Sequence, residues 1–218
     1  MKSRLLSAIF ALALVLFVLT AAIALPIYIR PFYYAHIGAM GLPEYTGLTA
    51  GEIRGAYDAV LDYLTLPGRE FSCGILAFSP EGESHFADCL VLFNLNRNVL
   101  LISGGVLAVL LLLGKKYGPY RLGRRSAAWW AGLLALIAPV VIGGLAALDF
   151  DRAFVIFHQI FFPGKSNWLF DWRTDPVILI LPQEFFRNCA ILIGAGLVVF
   201  SLSLLIFSTI RDKKARTS

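Results

Sequence analysis

At 218 residues the chain is 58% hydrophobic and 15% charged, whereas a soluble domain carries about 25% charge and at most about 50% apolar residues. That balance argues against an ordinary soluble domain and points to a membrane. The net charge of +5 sits in short clusters beside apolar runs, so it reads as a topology signal and no nucleic-acid partner is expected.

Four windows are long enough to span a bilayer: ~5–25, ~94–113, ~126–148 and ~189–210. Apart from Arg97 near the start of the second, none contains Asp, Glu, Lys or Arg. Each span must satisfy its own backbone in lipid, so helices are expected. The uncharged part of the second window, Asn98 to Leu113, is short for a span unless Leu90 to Phe93 extend it. The first has a basic start and an Ala22-Ile23-Ala24 run, but its apolar stretch exceeds that of a typical secretory signal, so it reads as an uncleaved anchor.

Charge sets the orientation. The two termini and the 114–125 link hold 11 of the 19 Lys and Arg and a single acid, Asp212; the other connections hold 8 basic and 13 acidic residues. The positive-inside rule then puts both termini and that link in the cytoplasm. The segments ~26–93 and ~149–188 face outward and form a small α+β extracytoplasmic cap. The predicted fold is an all-α polytopic membrane protein, four helices and this cap in one integral domain, 1–218.

Along the outer segments, Pro26 and Pro31 are expected to end regular structure, and Tyr28, Phe32, Tyr33 and Tyr34 gather at the interface, where aromatic belts are ordinary. Thr49 and Glu52 have capping-box spacing. Ile53, Ala56, Tyr57, Val60 and Leu64 recur at helical spacing until Pro67-Gly68, which predicts an amphipathic helix over 49–64. EFSCGILAF, 70–78, reads as a strand, and Ser79-Pro80-Glu81-Gly82 as a turn. The run ESHFADCLVLFNLNRN reads as helix, which places His85 and Asp88 on one face, where the carboxylate can orient the ring. Gly104-Gly105, Gly143-Gly144 and Gly194-Ala195-Gly196 suit close approach of membrane helices. Cys73, Cys89 and Cys189 form no CxxC and read as buried free thiols, with a Cys73–Cys89 disulfide in the first outer segment as the alternative.

The segment from Asp149 to Arg187 is long, aromatic and ionisable where a plain connection would be short and polar. His158 lies among Phe154, Phe157, Phe161 and Phe162, and Asp171 and Asp175 follow, interleaved with Trp168, Phe170 and Trp172. Ion-coupled transporters place ionisable groups at membrane depth; here the candidates lie outside the spans. His85 and His158 come from different outer segments, and imidazoles near pH ~6.5 exchange protons under ordinary conditions. His36 lacks carboxylate company and reads as structural. No HExxH, GxSxG or Walker loop occurs, so no metal, serine nucleophile or phosphate site is expected.

The ordered set Ser84, His85, Asp88, then Phe157, His158, Phe161, Asn167, Trp168, Phe170, Asp171, Asp175, Pro182, Phe185 and Phe186 resembles the bacterial lipoprotein intramolecular transacylases (Lit). The resemblance extends over nearly the whole chain. It implies transfer of the sn-2 acyl chain of a diacylglyceryl-cysteine to the same lipoprotein's N-terminal α-amine, giving the lyso form. It also implies catalysis by His85 and His158 without a cofactor or metal. Asp88, Asp171 and Asp175 are then candidates to orient the rings, and Tyr33, Phe157, Phe161, Asn167, Trp168 and Phe185 to line the substrate pocket. The partners implied are a diacylated lipoprotein and membrane lipids, in a bacterial cytoplasmic membrane with the site on the outer face. Two departures stand out: Cys89, where an aliphatic residue is expected, and Pro163-Gly164-Lys165. Two rival readings use the same residues: an ester hydrolase, with water replacing the amine, and a non-enzymatic lipoprotein-binding subunit.

Overall fold

The structure, a computed structural model, describes residues 2–117 and 120–217. Gly118 and Pro119 of the basic link, and the side chains of Lys2, Lys115, Lys116 and Arg216, lie outside the described residues. The described chain is helical: α1 (Lys2–Tyr28), α2 (Arg30–Ala39), α3 (Leu42–Thr46), α4 (Ala50–Thr65), α5 (Pro80–Tyr117), α6 (Ala127–Leu148), α7 (Phe150–Phe161), α8 (Val177–Ile180) and α9 (Gln183–Thr217). A two-residue hairpin, β1 (Arg121–Leu122) with β2 (Arg125–Ser126), precedes α6. The residues form two compact units, 1–25 with 96–147 and 191–218, and 26–95 with 148–190.

The first unit holds the most apolar stretches of the four helices long and apolar enough to cross a membrane, in α1, α5, α6 and α9. Large apolar side chains such as Leu101, Ile102, Leu112, Ile142, Leu145 and Ile206 are exposed along them, as lipid-facing residues are. Within the unit, glycine permits close packing at particular places. A Cβ on Gly132 would lie 3.0 Å from the Ser201 carbonyl oxygen, and one on Gly196 would lie 2.6 Å from Leu25 Cδ1. Gly105, Gly143, Gly144 and Gly194, by contrast, face open space. Asp212, buried near the end of α9, accepts from Ser126 N at 3.0 Å and pairs with Arg121 at 3.5 Å.

The second unit is built on α4. Thr49 and Glu52 form the predicted capping box, and the predicted face, Ile53, Ala56, Tyr57, Val60 and Leu64, is buried together with Leu61. Tyr33 stacks on Tyr57 at 3.7 Å between centroids and donates to the Ile180 carbonyl at 2.7 Å. Tyr34 hydrogen-bonds Asp58 at 2.8 Å, and Arg30 pairs with both Asp58 and Asp62.

Three expectations are corrected. The strand over 70–78 does not form; the only strands among the described residues are β1 and β2. Gly74 there adopts φ +63°, and a Cβ on it would lie 3.0 Å from Ala56 Cα, so the chain turns against α4 where a strand would run straight. Pro26 does not end α1, which continues to Tyr28 with Pro26 in its last turn. The turn read over Ser79-Pro80-Glu81-Gly82 is instead the start of a helix: α5 begins at Pro80 and continues as the expected helix from Glu83 into the second span, 38 residues in all, about 57 Å at 1.5 Å per residue, longer than the roughly 30 Å hydrocarbon layer.

Candidate active site

Both histidines lie in the second unit, on separate helices. His85 is in the second turn of α5. That helix starts where Asp175 accepts from Ser79 N at 2.8 Å, and Gly82 leaves room for the carboxylate: a Cβ there would lie 2.1 Å from Asp175 Oδ1. His158 is in the last turn of α7, which Asp149 caps by accepting from Arg152 N at 2.9 Å. The ring centroids of His85 and His158 stand 5.9 Å apart with 29° between planes, and each residue is 7% exposed.

Aromatic rings enclose the pair. Phe162 contacts both, at 5.0 Å from His85 and 5.8 Å from His158. Phe170 stands 5.4 Å from His85, and Trp168 stacks on His158 at 4.4 Å. Phe157 and Phe161 belong to α7 but are half exposed, and only Phe157 meets a histidine ring, at 5.4 Å from His158.

The two rings are held differently. His158 Nδ1–H donates to the Phe154 carbonyl at 2.7 Å, one helical turn back. In the neutral ring Nε2 then carries the free lone pair. Burial lowers the His158 pKa from its ordinary value, and the Phe154 carbonyl, which favours the charged ring, partly opposes that. His85 has no such anchor: Nε2 lies 3.5 Å from Cys89 Sγ, and Nδ1 is buried with no hydrogen-bond partner.

None of the three expected carboxylates bonds either ring. Asp88 is engaged by Lys165 and by Asn167 Nδ2, the latter at 3.1 Å. Asp171 accepts from Arg173 N at 3.0 Å, and Asp175 serves the start of α5. The orienting role assigned from spacing is therefore corrected: sharing a helix face did not direct Asp88 to His85, because a cation and an amide from the 149–188 segment reach it. Tyr33 and Phe185 are corrected too. Both lie in the core around α4, Tyr33 at 1% exposure and Phe185 edge-on to it at 5.0 Å, and neither contacts a site histidine. Tyr33 gathers in sequence with the interface aromatics; stacking on Tyr57 takes it inward instead. His36 is structural as expected, its Nδ1–H donating to the Phe32 carbonyl at 2.7 Å.

A cavity of about 570 Å³ lies nearby, with neither histidine on its wall. Ser84, Asn167 and Phe170 line it, as do Lys165, Asp171 and Asp175. Among the described residues no three His, Cys, Asp or Glu gather as a metal site requires. Phe162, read in sequence beside His158, also meets His85, and the contact missed in sequence was that of Cys89. The i, i+4 spacing of His85 and Cys89 was the available signal.

The lipoprotein intramolecular transacylase family, Lit, matches residues 8–186. No curated protein matches the chain. Among solved structures, the membrane-integral lipoprotein intramolecular transacylase Lit from Bacillus cereus shares the fold at TM-score 0.90 and 24% identity, covering 100% of this chain and 99% of that one. Structures of the same protein with an H85A mutation (TM-score 0.83, 23% identity, 100% and 96% covered) and with an H85R mutation (0.82, 23%, 99% and 94%) are also similar. With the family matched over most of its length, this chain belongs to the lipoprotein intramolecular transacylases.

Proposed function

We propose that His85 and His158 carry the proton transfers of the family's reaction, the movement of an acyl group within one lipoprotein from the sn-2 position of the diacylglyceryl-cysteine to the α-amine. The observation behind this reading is the pair itself: two buried imidazoles 5.9 Å apart, drawn from separate segments, with no carboxylate bonded to either. Intramolecular transfer needs no enzyme nucleophile. It needs a neutral amine, an ester carbonyl within reach, a proton acceptor and a proton donor.

His158 is the base. Its Nδ1–H is committed to a backbone carbonyl, so Nε2 takes the proton as the amine attacks the ester carbonyl. The tetrahedral intermediate collapses, the bond from the carbonyl carbon to the sn-2 oxygen breaks, and His85 supplies an N–H to the departing glyceryl oxygen. The proton on His158 then restores the pair, and the net change is one proton moved from nitrogen to oxygen. Two imidazolium charges this close repel, which keeps one extra proton shared between two rings.

Amine and ester are separated by several rotatable bonds, so closing them into a ring is an entropic obstacle that an enclosing pocket lowers. Phe162, Phe170 and Trp168 supply that enclosure, and the polar cavity beside them suits the peptide end of the substrate. The positive-inside bias supports cytoplasmic termini and a site on the outer face, where diacylated lipoprotein and membrane lipid meet it.

Mass spectrometry of the N-terminal lipopeptide tests the reading. Transfer leaves the mass unchanged, so fragmentation must locate the acyl group. Wild-type protein should yield N-acyl product, and His85→Ala and His158→Ala should yield none while still folded. Release of free fatty acid instead would make the protein a hydrolase.

A further inference from the structure

We propose that Cys89 is a positioning residue for His85: its thiol occupies Nε2, holds the ring, and leaves Nδ1 to exchange a proton with the substrate. The inference rests on the catalytic role proposed for His85 above.

Four observations carry it. Cys89 follows His85 by one helical turn of α5, and its Sγ lies 3.5 Å from Nε2, within reach of a sulfur hydrogen bond. The residue best placed by sequence to orient the ring, Asp88, has its two carboxylate oxygens taken by Lys165 and Asn167. The other neighbours of the ring are Phe86, Phe162, Phe170 and the second imidazole, and none of the phenyl groups can accept or donate a conventional hydrogen bond. Finally, Nδ1 is buried and unpartnered, a costly state for a polar atom that a bound substrate can relieve.

The thiol can take either part in the hydrogen bond, and both leave Nδ1 for the substrate. If S–H donates to Nε2, the ring proton sits on Nδ1, ready for the glyceryl oxygen. If Nε2–H donates to sulfur, Nδ1 is an acceptor that takes the amine's proton, relayed from His158, before passing it to the glyceryl oxygen. An aliphatic side chain at 89 would fill the same space and hold neither tautomer. His158 needs no such helper, because the Phe154 carbonyl fixes it.

The test uses full-length protein in lipid nanodiscs and a synthetic diacylglyceryl-cysteine peptide, with thermal melting to confirm folding. Cys89→Val removes the hydrogen bond and keeps the volume, Cys89→Ala is the second apolar variant, and Cys89→Ser restores a donor and acceptor. The loss of one modest hydrogen bond predicts kcat roughly fivefold to tenfold lower for Val and Ala with KM little changed, and recovery to within about twofold for Ser. Wild-type kcat in folded Cys89→Val, or equal losses in Val and Ser, would each overturn the proposal. An active His85→Ala would instead sink the reading of His85 as catalytic, whereas an active Cys89→Val beside an inactive His85→Ala sinks only this one.

Discussion

The first turns of α5 and the last turn of α7 each present one buried histidine to the same enclosure, yet they secure it by different means. On α7 the backbone does the work: the Phe154 carbonyl takes Nδ1–H, and Trp168 stacks on the ring. On α5 the only polar partner among the described residues is a side chain, the Cys89 thiol. A backbone anchor survives almost any substitution nearby, whereas a side-chain anchor is lost with one codon. The difference teaches that two residues of the same type in one site can differ in how far their function depends on their neighbours.

Replacing His158 by Asn should give the largest effect, a loss of at least about 100-fold in kcat, since a positioned general base contributes about 10²–10⁴-fold. Rate measurement on the lipopeptide substrate checks it, and a small loss would remove the base from the α7 side. Trp168→Leu comes next. It keeps an apolar wall but removes the stacked ring, and we expect kcat lower by about tenfold through poorer alignment. The same substitution should leave the response to Cys89→Val unchanged; coupling between them would mean that the two anchors are not independent. Asp88→Asn should lower kcat by less than about threefold, because an amide can keep the contact to Asn167 and no ring depends on the carboxylate.

The smallest expected effect is on stability. Burial depresses the His158 pKa, so at acid pH the unfolded chain binds the proton more readily than the folded one. The stabilisation from this group is complete above the ordinary histidine value of ~6.5. It is lost as pH falls below that value and through the depressed one. Melting curves from pH 8 to pH 4 should show a steeper decline for wild type than for His158→Asn, and parallel curves would contradict the assignment.

How much of this was legible in the sequence depends on the range of the interaction. The capping box of Thr49 and Glu52, the buried face of α4 and the four apolar helices follow from local spacing and length, and they stand as expected. The strand over 70–78 failed because its apolar residues gave no hint that Gly74 turns tightly against Ala56. Both histidines were singled out for their surroundings, but the approach of two rings 73 positions apart is a tertiary fact that periodicity does not encode. Asp88 was misassigned for the same reason: its partners, Lys165 and Asn167, arrive from a distant segment. Tyr33 and Phe185 were read as pocket walls on the resemblance, and only the tertiary packing, Tyr33 stacked on Tyr57 with Phe185 edge-on to it, shows them to be core.

The most direct test of the central claim is a double-mutant cycle on transfer itself. Initial rates of N-acyl product formation would be compared for wild type, His85→Ala, His158→Ala and the double variant, each shown to be folded. Groups acting as a unit in one proton exchange are strongly non-additive, so the double variant should be no slower than the slower single one. A single variant with the wild-type rate, or losses that simply multiply in the double variant, would contradict a shared proton exchange by these two histidines.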